Sequence, residues 1–199
     1  IAFQLETPLG EQCFAFSETL SYFVLANADH MRFFYQYCKG GAEMKSAIAD
    51  PSNWWKAASM LMYAMKGNSL KAGIHELSRN YYSMLPFKCG PGYVKYCLRP
   101  KQKEVPFAGT DLQEMTQSIR KEIRLSGFEF EFCIQVARDP VAHPIEDASV
   151  EWDETLSPFV PIASLKVLPQ DPDVFNPVQN VMQFHSTRTL PDHAPLGTI

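Results

Sequence analysis

The stretch that decides the fold is residues 128–170, which opens with FEFEFCIQV at residues 128–136. Apolar side chains occupy every second position of this opening segment, from Phe128 to Val136. Because successive side chains of a strand point to opposite faces, the pattern predicts a nine-residue strand with one apolar face against a core.

The residues after this strand predict a long connection and a second strand. Residues 137–159 contain three prolines, and the segment IASLKVL at 162–168 alternates again before Pro169. We therefore predict two antiparallel strands joined by a long ordered loop. Within that loop, Trp152 lies in a strand-like segment at 149–153, and we expect it to be buried.

Short motifs in this region resemble the second half of small catalase-like haem proteins. They are IQ at 134–135, DP at 139–140, PIEDASVEWDE at 144–154, SP at 157–158 and PQ at 169–170. Two further segments agree in order, YYSMLPFKCG at 81–90 with VKY at 94–96, and LPDHAPLG at 190–197. The resemblance spans roughly residues 12–199, with the helical middle only loosely similar.

The resemblance implies the fold and the outline of the domain. The expected class is α+β, a partial catalase-like antiparallel β-barrel with intervening helices. Residues 1–199 would form a single catalase-like domain, incomplete at both ends, with the earlier barrel strands before Ile1.

The haem machinery implied by the resemblance is absent or altered. The distal His of the family would fall before Ile1, and the Tyr that binds the iron would fall after Ile199. The family's distal Asn position is occupied by Glu18, whose carboxylate would place negative charge where neutral peroxide must bind. The family pattern FNPWH is replaced by FHSTR at 184–188.

Helices are predicted between the strands. One helix runs to Lys39, and another follows Asp50 until Gly67, with a core-facing stripe of Trp54, Ala58, Leu61, Met62 and Met65. A third is predicted over 69–79. Asp111 and Glu114 have the spacing of a capping box and predict a helix that ends at Gly127. Trp55 points away from the stripe and is the candidate partner contact.

Composition excludes some classes of function. A chain of 199 residues with a net charge of −4 lacks the basic surface of a general nucleic-acid binder. No run approaches the ~18 apolar residues of a membrane span. The five cysteines form no CxxC motif, which favours reduced thiols and an intracellular location, in the cytosol or an organelle lumen. Cys38, Cys97 and Cys133 are expected to be small buried hydrophobes.

No catalytic residue and no metal site is predicted. His185 and His193 match no zinc spacing. The acidic residues within 146–154 are interpreted as a solvated edge, or as partners of Arg138 and Lys166. His30 and His75 are read as hydrogen-bonded surface residues, and His143 as part of a turn. No serine lies in a G-x-S-x-G motif.

These observations favour a haem-less, catalase-derived structural or interaction module that is a subunit or part of a larger assembly. No cofactor is predicted for this chain. Its expected partner is a protein, or flanking segments, that complete the barrel, so we predict that the chain is not a stand-alone monomer. The alternative is a fragment of a haem-dependent hydroperoxide-metabolising enzyme, of the catalase, peroxidase or allene oxide synthase type.

Overall fold

The computed structural model describes residues 1–18, 20–24, 28–71, 73–102, 106–107, 109, 111–175, 183–185 and 187–196. Within these ranges the architecture is α+β, as predicted. The strands are β1 (Ala2–Thr7), β2 (Gly10–Ala15), β3 (Ser17–Glu18), β4 (Tyr81–Tyr82), β5 (Phe87–Cys89), β6 (Gly92–Pro100), β7 (Phe128–Val136) and β8 (Val160–Val167). The α-helices are α1 (Ala28–Lys39), α2 (Gly41–Ala49), α3 (Trp54–Lys71) and α4 (Leu112–Leu125). Short 3-10 helices lie at Pro51–Asn53, Glu76–Ser78, Pro172–Phe175 and Pro191–His193.

All strand pairs in the described residues are antiparallel. β1 and β2 form a hairpin, and the other strands form a six-stranded sheet in the order β3-β4-β6-β7-β8, with β5 also paired to β6. β7 lies between β6 and β8, and residues 137–159 connect it to β8. The prediction of two antiparallel strands joined by a long loop is confirmed.

The first face of the sheet carries an aromatic core. Buried side chains from the hairpin, β4, β5, β6 and β7 meet there: Phe14, Phe16, Tyr81, Phe87, Val94, Tyr96, Leu98 and Phe130. Phe130 is fully buried, whereas Phe132 and Ile134 are only half-buried, so the apolar face of β7 is covered unevenly.

The second face of β7 is also buried, which the alternating pattern did not predict. Cys133 and Gln135 are both 0% exposed, because the connection 137–159 packs over them. We call residues 137–159 the crossing segment. The sheet is therefore covered on both faces near the end of β7.

The sheet is open rather than closed in the described part of the chain. Its outermost strands are β3 and β8, and β8 is hydrogen-bonded to β7 alone. Val160 and Ile162 of β8 are 47% and 55% exposed. The antiparallel class is confirmed, and the expected barrel is present only as this open sheet.

The helical layer differs from the prediction in two ways. α3 does not stop at Gly67 but continues to Lys71. The separate helix predicted over 69–79 is absent from the described residues, where only the 3-10 turn Glu76–Ser78 follows α3. The stripe expected in the core faces outward instead: Trp54 is 62% exposed, and Leu61, Met62 and Met65 are each 63% exposed. Tyr63 lies on the inner side, where its hydroxyl donates to the carbonyl of Tyr22 at 3.2 Å.

α4 begins as the sequence predicts. The Asp111 carboxylate accepts a hydrogen bond from the backbone N–H of Glu114 at 2.8 Å, and the helix ends before Gly127, whose φ is +64°. An added Cβ at Gly127 would meet the carbonyl oxygen of Val167, so glycine is required there. Arg120 and Arg124 pair with Asp173 to hold α4 against the segment after β8.

In the ranges given above, no helix is both long enough and apolar enough to cross a membrane.

Candidate functional site

A buried polar cluster joins the sheet to the crossing segment. Lys95 of β6 and Gln135 of β7 are directly opposite each other in the ladder, and both point to the second face of the sheet. The crossing segment adds His143, Trp152 and Ser157, each 1% exposed. Five side chains from three parts of the chain therefore meet in an environment without solvent.

Gln135 and Ser157 tie the crossing segment to β7. The Gln135 amide donates to the backbone carbonyls of Trp152 at 2.9 Å and Ser157 at 2.8 Å. The Ser157 hydroxyl in turn donates to the carbonyl of Val136 at 2.6 Å. Since a buried carbonyl without a partner costs free energy, these bonds explain why a polar residue occupies this strand position.

Trp152 is buried, as predicted, although residues 149–153 do not form a strand. Its indole N–H donates to the carbonyl of Pro144 at 3.3 Å, and the His143 ring packs edge-on at a centroid distance of 5.2 Å. His143 also closes the predicted turn through its contact with the carbonyl of Asp139 at 3.2 Å.

Lys95 is held without a partner carboxylate within hydrogen-bond distance in the described residues. Its ammonium donates to the carbonyls of Ser21 at 3.1 Å and Val150 at 3.4 Å, and lies 4.9 Å from the centroid of the Trp152 ring. Burial lowers the pKa of Lys95 to about 8, and the more distant carboxylates of Glu151 and Asp147 oppose this shift. Lys95 therefore connects β6 to the segment around Ser21 and to the crossing segment at Val150.

The members of this cluster are each 0–1% exposed, and His143 also lines a surface cleft of about 190 Å³ with Tyr93, Arg138 and Asp139. The Gln135 carbonyl oxygen and His143 Nε2 are buried and lack a protein hydrogen-bond partner in the described residues. The chemistry that the arrangement supports is attachment of the crossing segment to the sheet.

Aromatic side chains pack against one another on the first face of the sheet. Phe3, Phe14 and Phe16 of the hairpin contact Phe132 of β7 with centroid distances of 5.2–6.3 Å, and Tyr96 lies 5.4 Å from Phe132. Rings at these separations touch, so they fill this face of the sheet.

Glu18, which takes the family's distal Asn position, lies in β3. Its backbone pairs with Tyr81 of β4, while its side chain lies outside the described residues. A carboxylate is not the neutral amide that the resemblance implies. Glu18 as the altered distal position stays a prediction.

Trp55, the candidate partner contact, is 54% exposed. It lines a cleft of about 710 Å³ between α3 and the crossing segment, together with Met62, Lys66 and Asp147. Its ring contacts His30 at a centroid distance of 4.6 Å. Burial lowers the pKa of His30, and the nearby ammonium of Lys56 adds to the effect. The exposure of Trp55 is compatible with the predicted role, which stays a prediction.

Two expectations about individual side chains are wrong. Cys38 is exposed, unlike Cys97 and Cys133, which are buried small hydrophobes as predicted. Burial raises the pKa of the Cys97 thiol to about 12, so this thiol is inert at neutral pH. His75 is 3% exposed rather than on the surface, and it lies at the cap of a 3-10 turn rather than in a helix.

His75 joins α4 to the turn Glu76–Ser78. Its Nδ1 accepts from the backbone N–H of Leu77 at 3.1 Å, and its Nε2 lies 2.9 Å from the Ser118 hydroxyl of α4. The first bond requires an unprotonated Nδ1, so the neutral ring carries its proton on Nε2 and donates to Ser118. The sequence alone could not show the contact between His75 and Ser118, because the two residues are 43 positions apart.

We expect the link through His75 to weaken in acid. Burial lowers the pKa of His75 below 6.5, a shift that Glu122 opposes and Arg79 reinforces. The unfolded chain therefore binds the proton first as the pH falls, and the stability that neutral His75 contributes is lost below about pH 6.5. The difference in unfolding free energy between the wild type and His75→Asn, measured in urea, should decrease from pH 7 to pH 5. Asn keeps the cap acceptor without titrating, and a constant difference would show that His75 is not coupled to α4 in this way.

The histidines weighed as metal ligands are not brought together. His185 is exposed and contacts the amide oxygen of Gln183 at 3.2 Å, while His193 ends the 3-10 turn Pro191–His193. Among the residues that the structure describes, no three His, Cys, Asp or Glu side chains are grouped to hold a metal ion. Two of the acidic residues of 146–154 form ion pairs, Glu151 with Lys66 and Glu154 with Arg99.

The chain is similar to catalases of known structure. A bacterial catalase matches with a TM-score of 0.72 at 14% identity, over 96% of this chain and 41% of its own. A fungal catalase matches with a TM-score of 0.73 at 15% identity, over 98% and 43%, and catalase A from Saccharomyces cerevisiae with a TM-score of 0.71 at 16% identity, over 98% and 44%. No family model matches the sequence. No curated protein matches it either.

These comparisons define the class of protein by its fold. Nearly the whole chain takes up the catalase fold, and it spans less than half the length of the catalases that it matches. The catalase-like resemblance seen in the sequence motifs is confirmed at the level of the fold.

Proposed function

We propose that this chain is a haem-less, catalase-derived structural and interaction module, working as a subunit or part of a larger assembly. The observation that carries the proposal is the open edge of the sheet at β8. An edge strand presents unpaired N–H and C=O groups that need a partner, and β8 also exposes Val160 and Ile162. Neighbouring strands, from a protein partner or from flanking segments, would complete this catalase-like domain.

Two features of the sheet support the absence of haem chemistry in this module. The aromatic rings of Phe3, Phe14 and Phe132 fill the first face of the sheet. The buried groups on the second face hold the crossing segment. Together with Glu18 in place of the family's amide, these features favour a module that does not bind peroxide at haem.

The cysteines support an intracellular location, in the cytosol or an organelle lumen. All five are free thiols, and Cys13, Cys97 and Cys133 are buried. Free buried thiols suit a reducing compartment.

The catalase fold over 96–98% of the chain favours a second candidate. On that hypothesis the chain is part of a haem-dependent hydroperoxide-metabolising enzyme, of the catalase, peroxidase or allene oxide synthase type. Haem would then be held by residues of a longer parent protein, together with the fold described here.

A haem titration separates the two candidates. We expect the purified chain, mixed with one equivalent of haemin, to show the spectrum of free haemin, because the resemblance places the family's iron-binding Tyr outside residues 1–199. An active catalase serves as the positive control. A five-coordinate haem spectrum that saturates at one haem per chain would overturn the proposal. Haem bound only by a longer parent protein would favour the second candidate.

A further inference from the structure

The outward stripe of α3 is an interaction surface. Trp54, Leu61, Met62 and Met65 are each more than 60% exposed, although they lie at the spacing of a buried helix face. The opposite side of α3 is apolar as well, with Met60 and Tyr63 turned toward the body. An exposed apolar patch of this kind marks a docking site.

Charge is divided unequally between the helical layer and the rest of the chain. Residues 28–71, which hold α1, α2 and α3, contain six basic and three acidic residues and carry +3. The whole chain carries −4, so the remaining residues carry −7. α3 itself contains no acidic residue. The surface that would cover the α3 stripe is therefore expected to be acidic.

Such an acidic and apolar surface lies next to α3 on the same molecule. The crossing segment exposes the carboxylates of Asp153 and Glu154, together with Leu156, which is 54% exposed. The two surfaces meet where Lys66 of α3 pairs with Glu151 of the crossing segment at 3.1 Å. A basic apolar patch and an acidic apolar patch thus lie side by side.

We propose that the α3 stripe is covered by a second copy of this chain, whose acidic crossing segment packs on it. This goes beyond the proposed function, because the second copy covers the α3 stripe and leaves the edge strand β8 to another protein or to flanking segments. Two complementary patches side by side suit a twofold axis near the Lys66–Glu151 pair, because each patch then faces its complement in the other copy. Twofold dimers are the commonest assemblies of identical chains. Packing α3 against α3 of the second copy would instead oppose lysines to lysines.

The test is the mass of the chain by size-exclusion chromatography with light scattering. The wild type should elute at twice its 22.6 kDa. Met62→Glu adds a carboxylate opposite the acidic patch, and Leu156→Lys adds an ammonium opposite the basic one. Each should raise the dimer dissociation constant at least about tenfold. Leu9→Glu, at an 84% exposed position in the β1–β2 turn, is the matched control and should leave the mass unchanged.

Mixing the two disrupted variants gives the sharpest result. A mixed dimer has one unaltered contact and one contact in which the introduced carboxylate faces the introduced ammonium. Mixing Met62→Glu with Leu156→Lys should therefore restore the dimer. A wild type that is monomeric, or a dimer that both variants leave intact, would overturn the inference. Circular dichroism of each variant serves as the control that these substitutions leave the fold unchanged. The haem titration is independent of this test, so a haem-binding dimer would reject the proposed function alone. A haem-free monomer would reject the dimer and the prediction that the chain does not stand alone, and would leave the absence of haem chemistry in place.

Discussion

Replacing Trp152 with alanine should lower the free energy of unfolding by about 3–5 kcal/mol. The indole is 1% exposed and fills the space between the crossing segment and the sheet. Its removal leaves a cavity, deprives the Lys95 ammonium of the ring 4.9 Å away, and frees the carbonyl of Pro144. Urea denaturation followed by circular dichroism measures the change.

Two variants make the Trp152 measurement specific. Trp54→Ala removes the same side chain from a 62% exposed position, and in protein dilute enough to be monomeric it should cost less than about 1 kcal/mol. Trp152→Phe retains most of the ring volume and should cost less than Trp152→Ala. Equal losses for Trp54→Ala and Trp152→Ala would show that the crossing segment is not packed on the sheet as described.

Local patterns in the sequence were sufficient to predict the two strands that flank the crossing segment and the residue at which α4 begins. The alternation of FEFEFCIQV reflects the two-residue period of a strand, and that period does not depend on what covers each face. The Asp111–Glu114 capping box is likewise local, since both partners lie within four residues. Interactions of this short range can be read from one sequence.

The orientation of α3 could not be predicted in the same way. Its periodicity shows that Trp54, Leu61 and Met62 share a face, but the opposite side, with Met60 and Tyr63, is apolar too. The contact of Tyr63 with Tyr22, 41 residues away, selects which side turns inward. A tertiary contact therefore decides the burial that the pattern leaves open.

The buried polar groups were missed for a related reason. Gln135 and His75 are polar residues whose hydrogen-bond partners are distant in sequence: Ser157 is 22 residues from Gln135, and Ser118 is 43 residues from His75. Polarity alone predicts exposure, and only the fold shows which partners each group finds. Glu18, by contrast, came from the family resemblance, and its role as an altered distal residue stays a prediction.

The stability of the protein should increase with pH through the titration of Lys95. Burial lowers the pKa of Lys95 from 10.5 to about 8 in the folded chain. Between these values the unfolded chain binds the proton and the folded chain does not, so raising the pH favours folding. Below about pH 8 the folded protein must hold a buried ammonium, whose cost relative to the neutral amine is on the order of 3 kcal/mol.

The comparison with Lys95→Met isolates this contribution. Methionine keeps the apolar stem but cannot titrate, and the other ionisable groups, including the thiol of Cys97, are common to both proteins. The difference in unfolding free energy, wild type minus Lys95→Met, should therefore become more favourable to the wild type between pH 7 and pH 10. A difference that does not change with pH would show that the amine stays charged and hydrated. The crossing segment would then be held by Gln135 and Trp152, without a buried amine at the junction with β6.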